Sequence, residues 1–283
     1  MTGGLFVGLA TLDVVQLVDR LPARNEKTTA SEGWVAAGGP AAVAAITFAA
    51  LGGRARLWTA LGHAPAAQLA AADLAAAGVE VIDVAPPGFE LAVSTVFIDT
   101  ASGERAVVSG SGRTPAAFGK IAGPDLSGVD VVLVDGHHPA LARSAALAAD
   151  GVPVVVDAGS HKPVFDDIFP SSTDVICSAD YVQPDWLGAR ALLLRGPTLV
   201  AVSNGREALR WWTAAASGSI EPEKVAAVDT TGAGDVLHGA YCHALAAGLD
   251  REDALRSAVG VATERVRHLG PFAWRAAIAR SGP

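Results

Sequence analysis

Asp229-Thr230-Thr231-Gly232-Ala233-Gly234-Asp235, running on into Val236-Leu237-His238-Gly239-Ala240-Tyr241, is the stretch around which the rest of the chain is organised. Apolar residues at 236, 237, 240, 241, 244 and 245 recur at helical spacing until Gly248, which reads as a stop. Upstream, Lys224 to Val228 reads as a short extended segment. A turn of small residues feeding a helix leaves several backbone N–H groups without partners, and with the helix dipole these make an anion site. Asp235 stands at the entrance of that helix. A carboxylate beside anion-binding amides suits the role of a base that takes a proton from a hydroxyl while charge grows on a transferring phosphoryl group. An Asp at a helix start also serves as an ordinary cap, and a bare Gly-x-Gly-Asp does not separate the two readings.

Working outward, the first strand reads as Leu5 to Ala10, and Val14 to Val18 as a second extended run, which puts Asp13 after the first strand. Open α/β sheets bind ligands at the carboxyl ends of their strands. Ala37-Gly38-Gly39-Pro40 leads into a helix from Ala41 to Leu51; its glycines allow close approach of backbone to ligand, and Pro40 fits a first helical turn. Arg56 to Ala60 and Val79 to Val84 read as strands, with a helix from Gln68 to Ala77 between them. Leu91 to Ile98 and Arg105 to Val108 flank Asp99-Thr100-Ala101-Ser102-Gly103-Glu104, a hairpin signal. From Val129 onward strands and helices alternate, as in a parallel sheet. Val131–Asp135, Pro153–Asp157, Val175–Cys177 and Pro197–Ser203 are the predicted strands, and polar residues collect at their carboxyl ends. Arg251 to His268 and Phe272 to Ala279 read as closing helices.

The full string DTTGAGD, gap-free, late in the chain and followed by an apolar helix, resembles the C-terminal signature of the ribokinase-like (PfkB) carbohydrate kinases. GGPAAVAAITFAALGG, from Gly38 to Gly53, resembles that family's N-terminal signature, and VGLATLDVV, from Val7 to Val15, its opening. The resemblance spans Leu5 to about Leu269 and rests on the two signatures. It implies an α/β fold: a mostly parallel central sheet flanked by helices, with a small β-sheet lid over the sugar that often forms a dimer surface. On that reading residues 1–283 are a single kinase domain, lid strands lie at about 11–35 and 88–112, and the protein is a homodimer through the lid.

The reaction so implied is ATP + sugar → sugar phosphate + ADP. Asp235 would accept the proton, and the N–H groups of Gly232, Ala233 and Gly234 would hold the transferring phosphoryl oxygens. Asp13, Gly38 and Gly39 would bind sugar, with Lys27 and His137 as further substrate contacts. Ser203, Gly205, Thr231 and Gly234 would border the nucleotide, and Mg²⁺ would bridge its phosphates, with no protein residue assigned as metal ligand. There are two departures. Many relatives carry an Asn where this chain has Val43, and many carry an Asn-x-x-Glu motif where it reads Ser178-Ala179-Asp180-Tyr181. Ketohexokinase and the sulfofructose kinases resemble this chain in lacking that motif, which points to a ketose phosphorylated at its C1 hydroxyl. A nucleoside kinase, a sulfosugar kinase and a non-catalytic sugar-binding relative are the alternatives.

Composition agrees. Hydrophobic residues make up 51% of 283 and charged ones 18%, enough to bury a large core and too few polar residues for disorder. No apolar run reaches the ~18–20 residues of a membrane span. The start, Met1-Thr2-Gly3-Gly4, lacks the basic region of a signal peptide. Only Cys177 and Cys242 are present, each in an apolar segment, so no disulfide framework or zinc site is expected and the cytoplasm is the expected compartment. A formal net charge of −8 argues against a nucleic-acid partner.

Overall fold

Two sheets face each other across the residues that carry the signatures. The computed structural model describes residues 1–103, 105–110, 118, 121–183 and 187–281. In chain order the strands are β1 (Gly3–Val7), β2 (Thr11–Val18), β3 (Glu32–Gly38), β4 (Arg54–Thr59), β5 (Val79–Asp83), β6 (Val93–Asp99), β7 (Arg105–Ser109), β8 (Val131–Val134), β9 (Val154–Ala158), β10 (Asp174–Ser178), β11 (Leu199–Asn204), β12 (Glu207–Thr213) and β13 (Ser217–Ile220). The helices are α1 (Pro40–Ala50), α2 (Pro65–Ala76), α3 (Pro139–Ala148), the single turn α4 (Phe165–Ile168), α5 (Ala233–Ala246), α6 (Arg251–Arg265) and α7 (Ala273–Ser281).

The large sheet has nine strands in the order β13-β12-β11-β10-β9-β8-β1-β4-β5. It is parallel from β11 to β5, and β12 alone runs the other way, pairing antiparallel with both β11 and β13. Its central strands are hydrophobic runs buried on both faces: Val131-Val132-Leu133-Val134 is wholly buried, as is Val154–Ala158. One face packs on α1, α5 and α6 through Ile46, Phe48, Val236, Tyr241 and Leu255. The other packs on α3 and α4 through Leu141, Ala145, Phe165 and Ile168. Gly239 sets the spacing on the first face, since a Cβ there would stand 2.4 Å from Ala44 O of α1. That close approach brings the turn before α1 and the turn before α5 to one place.

The small sheet has the order β3-β2-β6-β7. Its strands alternate as half-buried strands do; in β6, Ser94, Val96 and Ile98 are buried while their neighbours are partly or fully exposed. Register aligns Ala36, Asp13, Ser94 and Ser109 in one row across it, and Trp34, Val15, Val96 and Val107 in the next. Glu104 of the anticipated hairpin turn and residues 111 and 112 of the anticipated lid range lie outside the described residues.

Four sequence expectations need correction. The first strand ends at Val7, because Asp135 packs its carboxylate against Gly8 and takes the N–H of Leu9, turning the chain out of the large sheet. Thr11 to Val18 is then one continuous strand of the small sheet, so Asp13 lies inside β2 and not at the carboxyl end of β1. Lys224 to Val228 is not a strand; Val228 N–H bonds Val266 O instead of joining a ladder. Finally, β12 and β13 extend the large sheet where no strand was anticipated. Among the described residues no helix is long and apolar enough to cross a membrane.

Candidate active site

The two sheets enclose a cavity of about 300 Å³. Its roof is the small sheet, contributing Asp13, Ser94, Ser109 and Arg105; its floor is the two signature turns, contributing Gly38, Gly39, Thr231, Gly232 and Asp235. His137 and Val43 complete the wall between them.

The turn before α5 is held from below. Asp229 is 1% exposed; its Oδ1 accepts the Thr231 N–H at 2.8 Å, and its Oδ2 accepts Arg265 Nη2 at 2.9 Å and the Gly270 N–H at 3.0 Å. Gly232 then takes the left-handed conformation (φ 70°, ψ 9°), which starts the helix. The Ala233 N–H is used inside the turn, bonding Thr230 O at 3.3 Å. The N–H groups of Gly232, Gly234 and Asp235 have no hydrogen-bond partner among the described residues. Three donors at the head of α5 therefore stand ready for an anion, with Asp235 in the place anticipated for Ala233. Gly234 is exposed and its φ is not positive, so the strained position is Gly232.

Asp235 is partly buried at the cavity floor. Burial first, and the nearby Asp157 second, push its carboxyl up to about 7, against the opposing charges of His238 and Arg105. A carboxylate poised near neutral pH matches a general base. Across the cavity, Asp13 takes the Thr11 hydroxyl at 2.6 Å; burial raises its carboxyl, opposed by hydrogen bonds from Thr11 and Ser94. Ser94 Oγ and Ser109 Oγ are 2.8 Å apart. A Cβ on Gly38 would stand 1.9 Å from Asp13 Oδ2, so only glycine lets that carboxylate face the cavity. Gly39 (φ 93°) caps α1, and a Cβ there would meet Leu9 O at 2.5 Å.

Asp135, 1% exposed, organises the wall: it accepts N–H groups of Leu9 at 2.8 Å, Ala41 at 3.3 Å and His137 at 2.8 Å, and His137 Nδ1 lies 3.2 Å away. Burial would raise its carboxyl, but His137 and Lys162 outweigh that and hold it well below the usual carboxylate range.

Of the residues singled out from sequence, Asp13, Gly38, Gly39, His137, Thr231, Gly232 and Asp235 border one cavity. Ala233 and Gly234, in the same turn, are not among the residues that line it. Ser203 and Gly205 lie at the carboxyl end of β11, away from the cavity wall; Ser203 Oγ bonds Cys177 O at 3.4 Å and Gly205 forms the β11–β12 turn with φ 56°. Lys27 is exposed in the loop between β2 and β3 and is not brought to the cavity. Sequence reasoning missed Arg105, whose Nη1 donates to Thr230 O at 3.0 Å, and the Asp229–Arg265 pair. The first follows a hairpin turn and the second needs two distant segments to meet, so neither carried a local signal. Among the described residues no three Asp, Glu, His or Cys side chains come together as a metal-binding group. A Mg²⁺ ion that travels with a nucleotide takes most of its ligands from phosphate and water and needs no such cage.

An anion-ready turn, with a carboxylate raised to about 7, thus faces a hydrogen-bonding row across one cavity. The chain belongs to the pfkB family of carbohydrate kinases, whose model matches residues 1–273, and is an ATP-dependent sugar kinase. It is similar to the ribokinase of Bacillus subtilis (strain 168), 26% identical over 274 residues that cover 93% of this chain and 92% of that one. The crystal structure of a putative ribokinase from Agrobacterium tumefaciens matches with TM-score 0.85 and 27% identity over 99% of this chain and 98% of that one. The Arabidopsis thaliana ribokinase, complexed with ribose and ATP, shares the fold with TM-score 0.76 and 21% identity over 99% and 97% of the two chains.

Proposed function

We propose that this chain transfers the γ-phosphoryl group of ATP to a primary hydroxyl of a small sugar held between the two sheets, with Mg²⁺ accompanying the nucleotide. The observation that carries this is the convergence of Asp13, Gly232 and Asp235 on one cavity, beside the free N–H groups at the head of α5. Asp13 and Ser94, with Ser109 beside them, would grip ring hydroxyls and leave one primary hydroxyl facing Asp235. Asp235 would take its proton as the N–H groups of Gly232, Gly234 and Asp235 receive the phosphoryl oxygens. Arg105, reaching from β7 to Thr230 O, places a cation at the rim where that charge builds. Ser203, Gly205 and Thr231 are the proposed nucleotide border.

The acceptor we favour is a ketose with transfer to its C1 oxygen, since the chain lacks Asn-x-x-Glu as ketohexokinase does. The ribokinase relatives make ribose the competing sugar. The apolar row Val15–Val96–Val107, with Trp274 beside it, offers a face to a nucleobase and keeps a nucleoside acceptor as a second reading. On the outer face of the small sheet Val35, Val14, Thr95 and Val108 align in register, with Val35 47% and Val108 70% exposed. An apolar row on an open sheet face suits a second copy of the chain, and light scattering should give a dimer. ADP release over ketoses, aldoses, sulfosugars and nucleosides, followed by phosphorus NMR of the product, tests the acceptor. Coupling to C1 protons of a ketose is expected; activity on ribose or nucleosides alone would overturn the ketose assignment.

A further inference from the structure

His238 sits three residues beyond Asp235 on α5 and is 4% exposed. Its Nδ1 lies 2.7 Å from Gly234 O and its Nε2 lies 3.3 Å from Ile176 O on β10. A main-chain carbonyl only accepts, so both bonds form only when both ring nitrogens carry hydrogens. An imidazole in that state is a cation, and a buried cation needs a counter-charge. Asp157 supplies it: Oδ2 lies 3.6 Å from Nδ1, the residue is 4% exposed, and Oδ1 accepts the Gly159 N–H at 3.1 Å. One ring thus links the first turn of α5, a central strand and a buried carboxylate.

We propose that His238 is a positioning residue for phosphoryl transfer: as an imidazolium it staples the head of α5 to β10 and, paired with Asp157, sets the charge beneath Asp235. The proposal rests on Asp235 acting as the base. The charged groups acting on Asp235 are Asp157 at the end of β9, Asp135 after β8, Arg105 on β7 and His238 on its own helix. Cys177 on β10 and Cys242 on α5, near Asp157, are kept as neutral thiols by burial. Without the imidazolium, the Asp157 and Asp135 charges act on Asp235 opposed by Arg105 alone, and Asp235 holds its proton to higher pH.

The test has two arms. Nitrogen-15 NMR of the labelled wild-type protein at pH 7, with the His238 signal identified by its loss in His238→Gln, reads the ring directly. Two protonated nitrogens are expected; one bare nitrogen overturns the proposal whatever the variants do. In His238→Gln and His238→Phe, the acid limb of the kcat/KM profile should move up by about one pH unit. Their kcat at pH 7 should fall about fivefold, while KM for sugar and ATP stays within about threefold. A uniform loss at every pH, with the limb unmoved, would mean a merely structural histidine and also overturns the proposal. Failure of the base assignment shows separately, as near-normal turnover in Asp235→Asn with the ring still doubly protonated.

Discussion

Asp229 and Arg265 form an ion pair 2.9 Å long that is almost wholly sealed from water, the two residues being 1% and 2% exposed. The pair joins the turn ahead of α5 to the far end of α6. Arg265 extends the join by donating to His268 O at 2.7 Å, and Trp274 lies against the guanidinium with the ring centre 5.8 Å away. Breaking a buried pair from one side strands the other charge. Arg265→Met should therefore cost about 3–5 kcal/mol in urea unfolding, and Asp229→Asn in the same background should recover part of it. A loss below ~1 kcal/mol would show that the turn holds itself.

The glycines of the turn divide by backbone and not by position in the motif. Gly232 has φ 70°, whereas Gly234 lies in the first turn of α5 with open space around its missing side chain. Gly232→Ala should cost about 1–2 kcal/mol and lower kcat, because the N–H groups are re-aimed. Gly234→Ala keeps its N–H and should bind ATP as the wild type does. Calorimetry with ATP on both variants checks this, and equal loss in both would refute the division.

Asp235→Asn should lower kcat by ~10²–10⁴ with both substrates still bound. It should also stabilise the fold in a pH-dependent way. The folded carboxyl is raised to about 7, so its contribution to stability is fully present below the ordinary carboxylate range and is lost as pH rises through about 7. Asparagine escapes that loss. The variant should match the wild type near pH 4 and exceed it by ~1–2 kcal/mol at pH 8, the figure reduced for the part of the side chain open to the cavity. Thermal melts across that range decide it, and a constant difference would refute the linkage.

Asp13→Ala should weaken sugar binding by ~1.5–3 kcal/mol, as for a hydrogen bond to a charged group, and leave ATP affinity unchanged. Ser94→Ala, the next member of the row, loses a neutral partner and should cost about 0.5–1.5 kcal/mol. Parallel titrations with sugar and ATP would expose the error if both affinities fell together.

Much of this is legible in the chain because it is local. The 3.6-residue period and terminal glycine mark α5 to within two residues, and Gly38-Gly39-Pro40 marks the start of α1. What escapes depends on partners distant in sequence. β13 is a strand because β12 offers an edge, and its own Ser217-Gly218-Ser219 carries little strand signal, whereas β12 is legible in the Asn204-Gly205 turn and the alternation of Leu209, Trp211 and Thr213. Residue pattern runs the first strand on to Ala10 and leaves Asp13 just after it, because Leu9 and Ala10 continue the apolar run of β1 and only Asp135, more than 120 residues away, ends it. Ala233 reads as a free N–H donor, yet Thr230 O claims it, a detail of turn geometry with no trace in residue type.

The aligned row Asp13–Ser94–Ser109 lies on the small sheet, while the anion turn and Asp235 belong to the large one. On the proposed assignment, recognition of the acceptor and handling of the donor sit on separate scaffolds. Substitution at positions 13, 94, 96, 107 or 109 would then retune the guest without disturbing the phosphoryl chemistry. A lineage built this way can change diet by editing one wall of the cavity while its engine stays as it was.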